Sequence, residues 1–521
     1  MTRASDRSRP NVLVIVTDQQ RADHVGWAGA AVRTPHLDGL AARGTIFDNA
    51  WVANPVCMPN RSSIMTSRLP SAHGVIFNDR SLEWGAATHV RQFRRAGWRT
   101  ALIGKSHLQH GMSRNAVTEV ARAPTVEHGY GDGWDRWEHA ERYEGADPGA
   151  PDDFYGFDRV ELSIDHGARI SGHHLRWALD RGGRREDLVV PYSADAPARD
   201  RSERWWQIYR PPYDETLHST EFVVDRTISA IDKASGDGSP WLVWASFPDP
   251  HHPMTPAGQW FDRHDPGDME VPATIDDPLV HAPAYLRHLQ RMPPSEQRGW
   301  VAPCGTRDRQ LVREMLAATF GMIEHVDDGV GRILRAVSAL GSLDETIVVV
   351  TSDHGDMMGD HGLALKGFMP FNGTQRVPLV VVDPRRRPGR SRSLAQSIDL
   401  GPTLMELCDV PPHDGVQGRS LVPVLDDAAA TVRDHVLIED DLRREAARGR
   451  VPHRIRTIVG DDGTKLTRFS SGETLLFDLL ADPDETDELG HRDPVRLAGA
   501  NERLLDAMMA AVDDARGAPV G

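Results

Sequence analysis

Five short apolar runs, Asn11 to Thr17, Thr100 to Gly104, Trp241 to Phe247, Thr346 to Thr351 and Pro378 to Val382, recur through the chain with helical stretches between them. Runs of this length without polar alternation suit strands covered on both faces, which predicts an α/β architecture with a large, mostly parallel central sheet flanked by helices. Met315, Met322, Val326, Ile333 and Val337 fall at spacings of seven and four, one face of a long helix that stops near Gly341. A short helix is expected at Asp399 to Leu404, with a loop at Pro411, Pro412 and Gly415. Beyond it the pattern changes. His435 to Glu439, Ile455 to Val459 and Lys465 to Phe469 read as short strands, the last two joined by a turn at Asp461-Asp462-Gly463. A C-terminal helix bearing Leu504, Leu505, Met508 and Met509 would cover them. The division expected is therefore a catalytic α/β domain over residues 1–425 and a smaller α+β subdomain, a short antiparallel sheet with a helix, over 426–521. Residues from about 150 to 215 lack strong periodicity and read as a long excursion over the main fold that shapes substrate access.

A net charge of −16 argues against nucleic acid or an acidic membrane surface as the main partner, so an anionic substrate must be drawn by a local positive site. Three widely separated cysteines, Cys57, Cys304 and Cys408, do not suit a disulfide framework and are expected as thiols. The apolar run Val12 to Val16 is too short for a signal-peptide core or a membrane span, from which a cytoplasmic location is expected. The clustered Arg385, Arg386, Arg387, Arg390 and Arg392 read as a solvated loop.

The chemistry concentrates in a few places. Cys57, Pro59 and Arg61 stand at Cys-x-Pro-x-Arg spacing, and proline at a first helical position would put Cys57 just outside a helix N-terminus, where backbone N–H groups attract anions. Asp18 follows the first apolar run with Gln19 behind it, and Asp353-His354 follows the fourth run in the same way. Ligands gather at the carboxyl ends of strands in open α/β sheets, so these two distant segments can converge on a divalent metal.

These elements, in this order, resemble the sulfatases of the alkaline-phosphatase superfamily, near their phosphonate monoester hydrolase and choline sulfatase branch. The resemblance spans nearly the whole chain. It rests on Asn11 to Gln19, Cys57 to Arg68, Gly104-Lys105-Ser106-His107-Leu108, Phe247 to Pro253, Ser352 to Gly362 and the C-terminal stretch Phe477 to Thr486. What it implies is a sulfuric ester hydrolase whose cysteine is oxidised by a formylglycine-generating enzyme to formylglycine, hydrated to a geminal diol. By the same resemblance Asp18, Asp353, His354 and an oxygen of modified Cys57 hold one divalent metal, Mn²⁺ or Ca²⁺. Arg61 would hold the diol, Lys105 and Lys366 would grip the oxyanion, His107 would act as base and His251 as acid. Gln19 and Asn78 would contact substrate. Two positions depart from the common pattern: Gln19 stands where a second Asp is usual, and Asn60 where Ser or Ala is usual. The substrate expected is a small sulfate or phosphate ester. A phosphodiester or phosphonate monoester hydrolase with the same machinery is the nearest alternative, and a non-catalytic metal-binding protein with an unmodified Cys57 is another. A homo-oligomer remains open.

Overall fold

The five apolar runs form strands because each is covered from both sides, as β1 shows residue by residue. In the computed structural model, which describes residues 9–78, 80–110, 130, 133–145, 148–149, 151–236, 238–294, 303–442 and 453–511, β1 is Asn11–Thr17. Val12, Val14 and Val16 enter one hydrophobic core and Leu13 and Ile15 the other, as the period of two in a strand dictates. The remaining strands of the central sheet are β2 (Thr45–Trp51), β3 (Arg99–Gly104), β4 (Arg159–Leu162), β5 (Trp241–Ser246), β6 (Thr346–Ser352), β7 (Leu379–Val382) and β8 (Gly389–Gln396). Their order is β8-β2-β7-β6-β1-β5-β3-β4. Every pairing is parallel except the two made by β7, which runs antiparallel to β6 and β2.

That reversal matters for function. A parallel return from β6 would need a crossover helix; because β7 runs back alongside β6, the connection 353–378 starts and ends at the carboxyl end of β6. Helix α1 (Cys57–Thr66) sends Met58, Ile64 and Met65 into the first core. Helices α2 (Ser219–Ser235) and α3 (Arg309–Ala339) cover the other face with Phe222, Val223, Val326 and Ile333. Asp308 caps α3 by accepting the Gln310 and Leu311 N–H groups at 3.0 and 3.2 Å, and Gly341, with φ 69°, lies just beyond the helix's end. The helix at Leu400–Leu407 agrees with expectation.

The small C-terminal sheet is an antiparallel meander of β9 (His435–Asp441), β10 (Arg454–Gly460), β11 (Thr464–Phe469) and β12 (Thr474–Asp478). The turn at Asp461-Asp462-Gly463 joins β10 to β11, with Gly463 at φ 81°. Helix α4 (Pro494–Ala510) packs on this sheet through Ala500, Leu504 and Ala507. The expected face was too wide: Leu505, Met508 and Met509 are exposed, since only every third or fourth residue of a straight helix meets a flat sheet.

Two further expectations change. Residues 150–215 are not a bare excursion; they supply the edge strand β4 and a helix at His173–Leu179, and Tyr155, Trp205, Trp206 and Tyr209 are buried. The arginine cluster is not a free loop either. Arg385 and Arg386 pair with Asp383, and Arg390 and Arg392 lie on β8, Arg390 bonding Asp48. All three cysteines are buried free thiols. Among the described residues no helix is long and apolar enough to cross a membrane.

Candidate active site

Four neighbouring parallel strands, β6, β1, β5 and β3, end side by side, and each is followed immediately by residues singled out in the sequence. Asp353 and His354 follow β6, Asp18 and Gln19 follow β1, Pro248 to His252 follow β5, and Lys105 to His107 follow β3. Sequence separations above 300 residues are thus bridged by strand adjacency alone. Cys57 arrives from the side as the first residue of α1, with Val56 preceding the helix. The helix therefore begins two residues earlier than Pro59 suggested. Proline is tolerated anywhere in the first turn because the N–H it lacks has no intrahelical partner there.

One ligating atom from each of Asp18, Cys57, Asp353 and His354 lies within 4.8 Å of the others, and all four residues are buried. His354 Nε2 is 3.1 Å from Cys57 Sγ and 3.6 Å from Oδ1 of both Asp18 and Asp353. Its Nδ1 bonds the Gly355 carbonyl at 2.9 Å, which assigns the proton to Nδ1 and turns the Nε2 lone pair toward the carboxylates. Asp18 Oδ1 has no hydrogen-bond partner among the described residues. Two carboxylates, an imidazole with its lone pair inward and an orphaned buried oxygen form a donor set that fits a divalent cation.

Arg61 has a task that the sequence did not show. Its guanidinium bridges the metal-binding carboxylates, with Nε donating to Asp353 at 2.7 Å and Nη2 to Asp18 at 3.2 Å. Nη1 reaches the Lys105 carbonyl and Ser246 Oγ at 3.0 and 2.8 Å. Spacing along a helix cannot show this, because both carboxylates come from other strands. Burial alone would raise the Asp18 carboxyl, but Lys105, Arg61 and Lys366 hold it well below the usual range. Burial would also raise the Cys57 thiol; Lys105 and Lys366 overcome it and pull the thiol well down.

Lys366 Nζ lies 3.1 Å from Cys57 Sγ and 2.8 Å from Gln19 Oε1. Lys105 Nζ contacts Asp18 and His166. Gln19 is held by Asp356 through its amide nitrogen and by His252 Nδ1, 3.0 Å from its oxygen, so it orders the site's second layer. His251 stacks between His166 and His252, with ring centroids 3.9 and 4.1 Å away, and its Nδ1 bonds the His252 carbonyl. Burial, with His166 and Lys366 nearby, keeps the His251 imidazole well below its ordinary range. Asn78 sits at the entrance to α1, its oxygen accepting the Met58 N–H at 3.1 Å. His107 lies farther round, its ring centroid 6.0 Å from that of His166.

Sequence reasoning missed four residues. His166 comes from the segment read as an excursion and carried no motif. His252 was visible only as the neighbour of His251. Asp356 lies in the same tract as Asp353 and accepts the Met358 and Leu365 N–H groups at 2.7 and 3.0 Å, fixing the loop that carries Lys366. Glu138 accepts three successive N–H groups, those of His107, Leu108 and Gln109, at 2.7, 2.9 and 3.0 Å. It holds His107 at φ 56°, a conformation non-glycine residues keep only under such support. Asn60, the departure in the cysteine element, has a structural reason: its amide donates to the Asp353 carbonyl and its oxygen accepts the Ala53 N–H at 3.0 Å.

A mixed sheet with a cation-ready carboxylate cluster at its strand ends, faced by lysines and imidazoles, agrees with the alkaline-phosphatase-like fold class that comparison with solved structures shows. Within that class the chain belongs to the sulfatase family. The model described as Sulfatase matches residues 10–410, and that of the N-sulphoglucosamine sulphohydrolase C-terminal region matches residues 359–505. The chain is similar to an arylsulfatase of Clostridium perfringens, 28% identical with 92% of this chain and 90% of that protein covered. It is 26% identical to a choline-sulfatase of Rhizobium meliloti over 94% of this chain and 84% of the relative. The crystal structure of a phosphonate monoester hydrolase of Agrobacterium radiobacter superimposes with a TM-score of 0.76 at 25% identity, covering 98% of this chain and 97% of that one.

Proposed function

We propose that this sulfatase-family hydrolase cleaves sulfuric esters with a formylglycine made from Cys57. The observation that carries this reading is the place of Cys57 Sγ, within 3.1 Å of both His354 Nε2 and Lys366 Nζ. There it stands where a hydroxyl of the hydrated aldehyde would meet a cation and an oxyanion together. A divalent cation on Asp18, Asp353 and His354, Mn²⁺ or Ca²⁺ by donor type, supplies Lewis acidity that screens the ester's charge and acidifies a hydroxyl.

The chain's own residues do the rest. Arg61 bridges the two aspartates and offsets their charge. Lys105 and Lys366 would grip the sulfuryl oxygens, and Gln19 and Asn78 would contact the substrate. One diol hydroxyl would lose its proton to solvent and attack sulfur as the alkoxide; the bond from sulfur to the alcohol oxygen would break, and His251, having taken a proton from solvent as the anion bound, would pass it to that oxygen. Burial holds the His251 imidazole well below its ordinary range, and an incoming anion would raise its affinity for the proton it must give. His107 then takes the proton of the remaining hydroxyl, the carbonyl re-forms, and sulfate departs by C–O cleavage. Water restores the diol. Maturation calls for a formylglycine-generating enzyme as partner, and a cytoplasmic location is part of the same proposal.

A second reading, phosphodiester or phosphonate monoester hydrolysis, draws on Gln19 in place of a second Asp and on the similarity to the Agrobacterium enzyme. Lys105 and His107 favour the sulfatase. Comparing kcat/KM for an aryl sulfate, a phosphodiester and a phosphonate monoester separates the two: the sulfate is expected to lead, and a phosphodiester preference of several orders would replace the first reading with the second. Lys366→Ala should lower kcat/KM for the preferred ester by roughly 10²-fold, the cost typical of one preorganised donor to transition-state charge; steady-state kinetics checks it, and an unchanged value would remove Lys366 from the oxyanion's grip.

A further inference from the structure

Behind the turn that carries His251, a second group of ligand-type side chains is closed off from solvent. His218 stands at the head of α2, Asp249 in the turn after β5 and His325 within α3. One ligating atom from each lies within 4.8 Å of the others, and none is more than 1% exposed. Each retains a polar atom with no hydrogen-bond partner among the described residues: Nε2 of His218, Oδ1 of Asp249 and Nδ1 of His325. Buried polar atoms are ordinarily satisfied, and an orphaned atom on each of three clustered ligand-type residues calls for a partner.

We propose that His218, Asp249 and His325 form a second divalent-cation site suited to Zn²⁺, structural in role and sharing no residue with the catalytic cluster. Two imidazoles and one carboxylate are a characteristic zinc donor set. The support around His325 is that of a ligand: its Nε2 lies 3.0 Å from Glu221 Oε1, and Glu221 is gripped by Arg332 at 2.8 Å. With the proton on Nε2, Nδ1 keeps a lone pair free to serve as the ligand. His218 Nδ1 is 3.7 Å from Asp249 Oδ2, and the Thr220 hydroxyl lies 3.4 Å from the same oxygen, within reach of the fourth position. A tetrahedral zinc shell separates its ligand atoms by about 3.3 Å, so the side chains close in by small rotations. Burial pushes the Asp249 carboxyl up to about 8 and the His218 imidazole well down.

The consequence reaches the active site. The Asp249 carbonyl accepts the Asp18 N–H at 3.1 Å, and His251 follows two residues on. A cation here ties α2 and α3 to the turn that presents the acid and steadies the first metal ligand. An ordered water is the competing occupant.

The test uses the full-length Asp18→Asn/Asp353→Asn chain, in which the catalytic cluster is disabled, stripped with chelator and titrated with Zn²⁺ alone. One tightly held zinc per chain by elemental mass spectrometry and a raised Tm are expected. Adding His218→Gln and His325→Gln should abolish both the bound zinc and the Tm shift. Should that variant not fold, zinc X-ray absorption on the parent double variant decides, with two imidazoles and oxygen in the shell expected. No retained zinc, zinc undiminished by the histidine changes, or a shell containing sulfur would overturn the proposal.

Discussion

Cys57→Ala is expected to lower turnover of an aryl sulfate by at least about 10⁴-fold, the scale on which removal of a covalent nucleophile acts. The fold should survive, since only one buried sulfur atom is lost, a truncation that costs on the order of 1 kcal/mol. Circular dichroism and the thermal midpoint measure the second half of this expectation. Cys57→Ser separates the two halves of the reaction. Serine offers one hydroxyl that can attack but no second hydroxyl whose deprotonation expels sulfate, so at most one equivalent of alcohol should appear before the enzyme stalls. Retained turnover in Cys57→Ala would place the nucleophile elsewhere.

Arg61→Ala should be the most damaging single change to stability. The guanidinium is buried between Asp18 and Asp353 and also supports the Lys105 and Ser246 segments. Breaking a buried ion pair by removing one partner typically costs about 3–5 kcal/mol, and here two carboxylates would be left facing each other. The loss should be largest in chelator and partly recovered with excess Mn²⁺, because a cation offsets the same charges. Denaturation curves with and without metal measure this. A variant as stable in chelator as the unaltered chain would mean that Arg61 does not balance the cluster.

The legible parts of the molecule were those in which local pattern and burial agree. β1, β3, β5, β6 and β7 each carry a continuous apolar run because both of their faces are covered there, and they could be read directly. β2, with Asp48 and Asn49, and β8, with Gly389, Arg390, Ser391 and Arg392, could not: they lie toward the sheet's edge, and β8 shifts register between Ser391 and Leu394. The site was legible where its residues follow strands. It was opaque where a partner arrives from a segment without periodicity, as His166 and Glu138 do. Arg61 shows a further limit: its spacing from Cys57 was plain, yet its contacts with Asp18 and Asp353 depend on which strands lie side by side. The width of the α4 stripe failed for a related reason, since the sequence records apolar residues but not how flat the surface is that receives them.

The decisive observation is the mass of the tryptic peptide containing residue 57, taken from catalytically active full-length protein produced together with a formylglycine-generating enzyme. Conversion of the buried, activated thiol to the aldehyde lowers that mass by about 18 Da, and the converted fraction should rise and fall with specific activity. Full activity in protein whose residue 57 is entirely unmodified cysteine would contradict the proposed chemistry at its root.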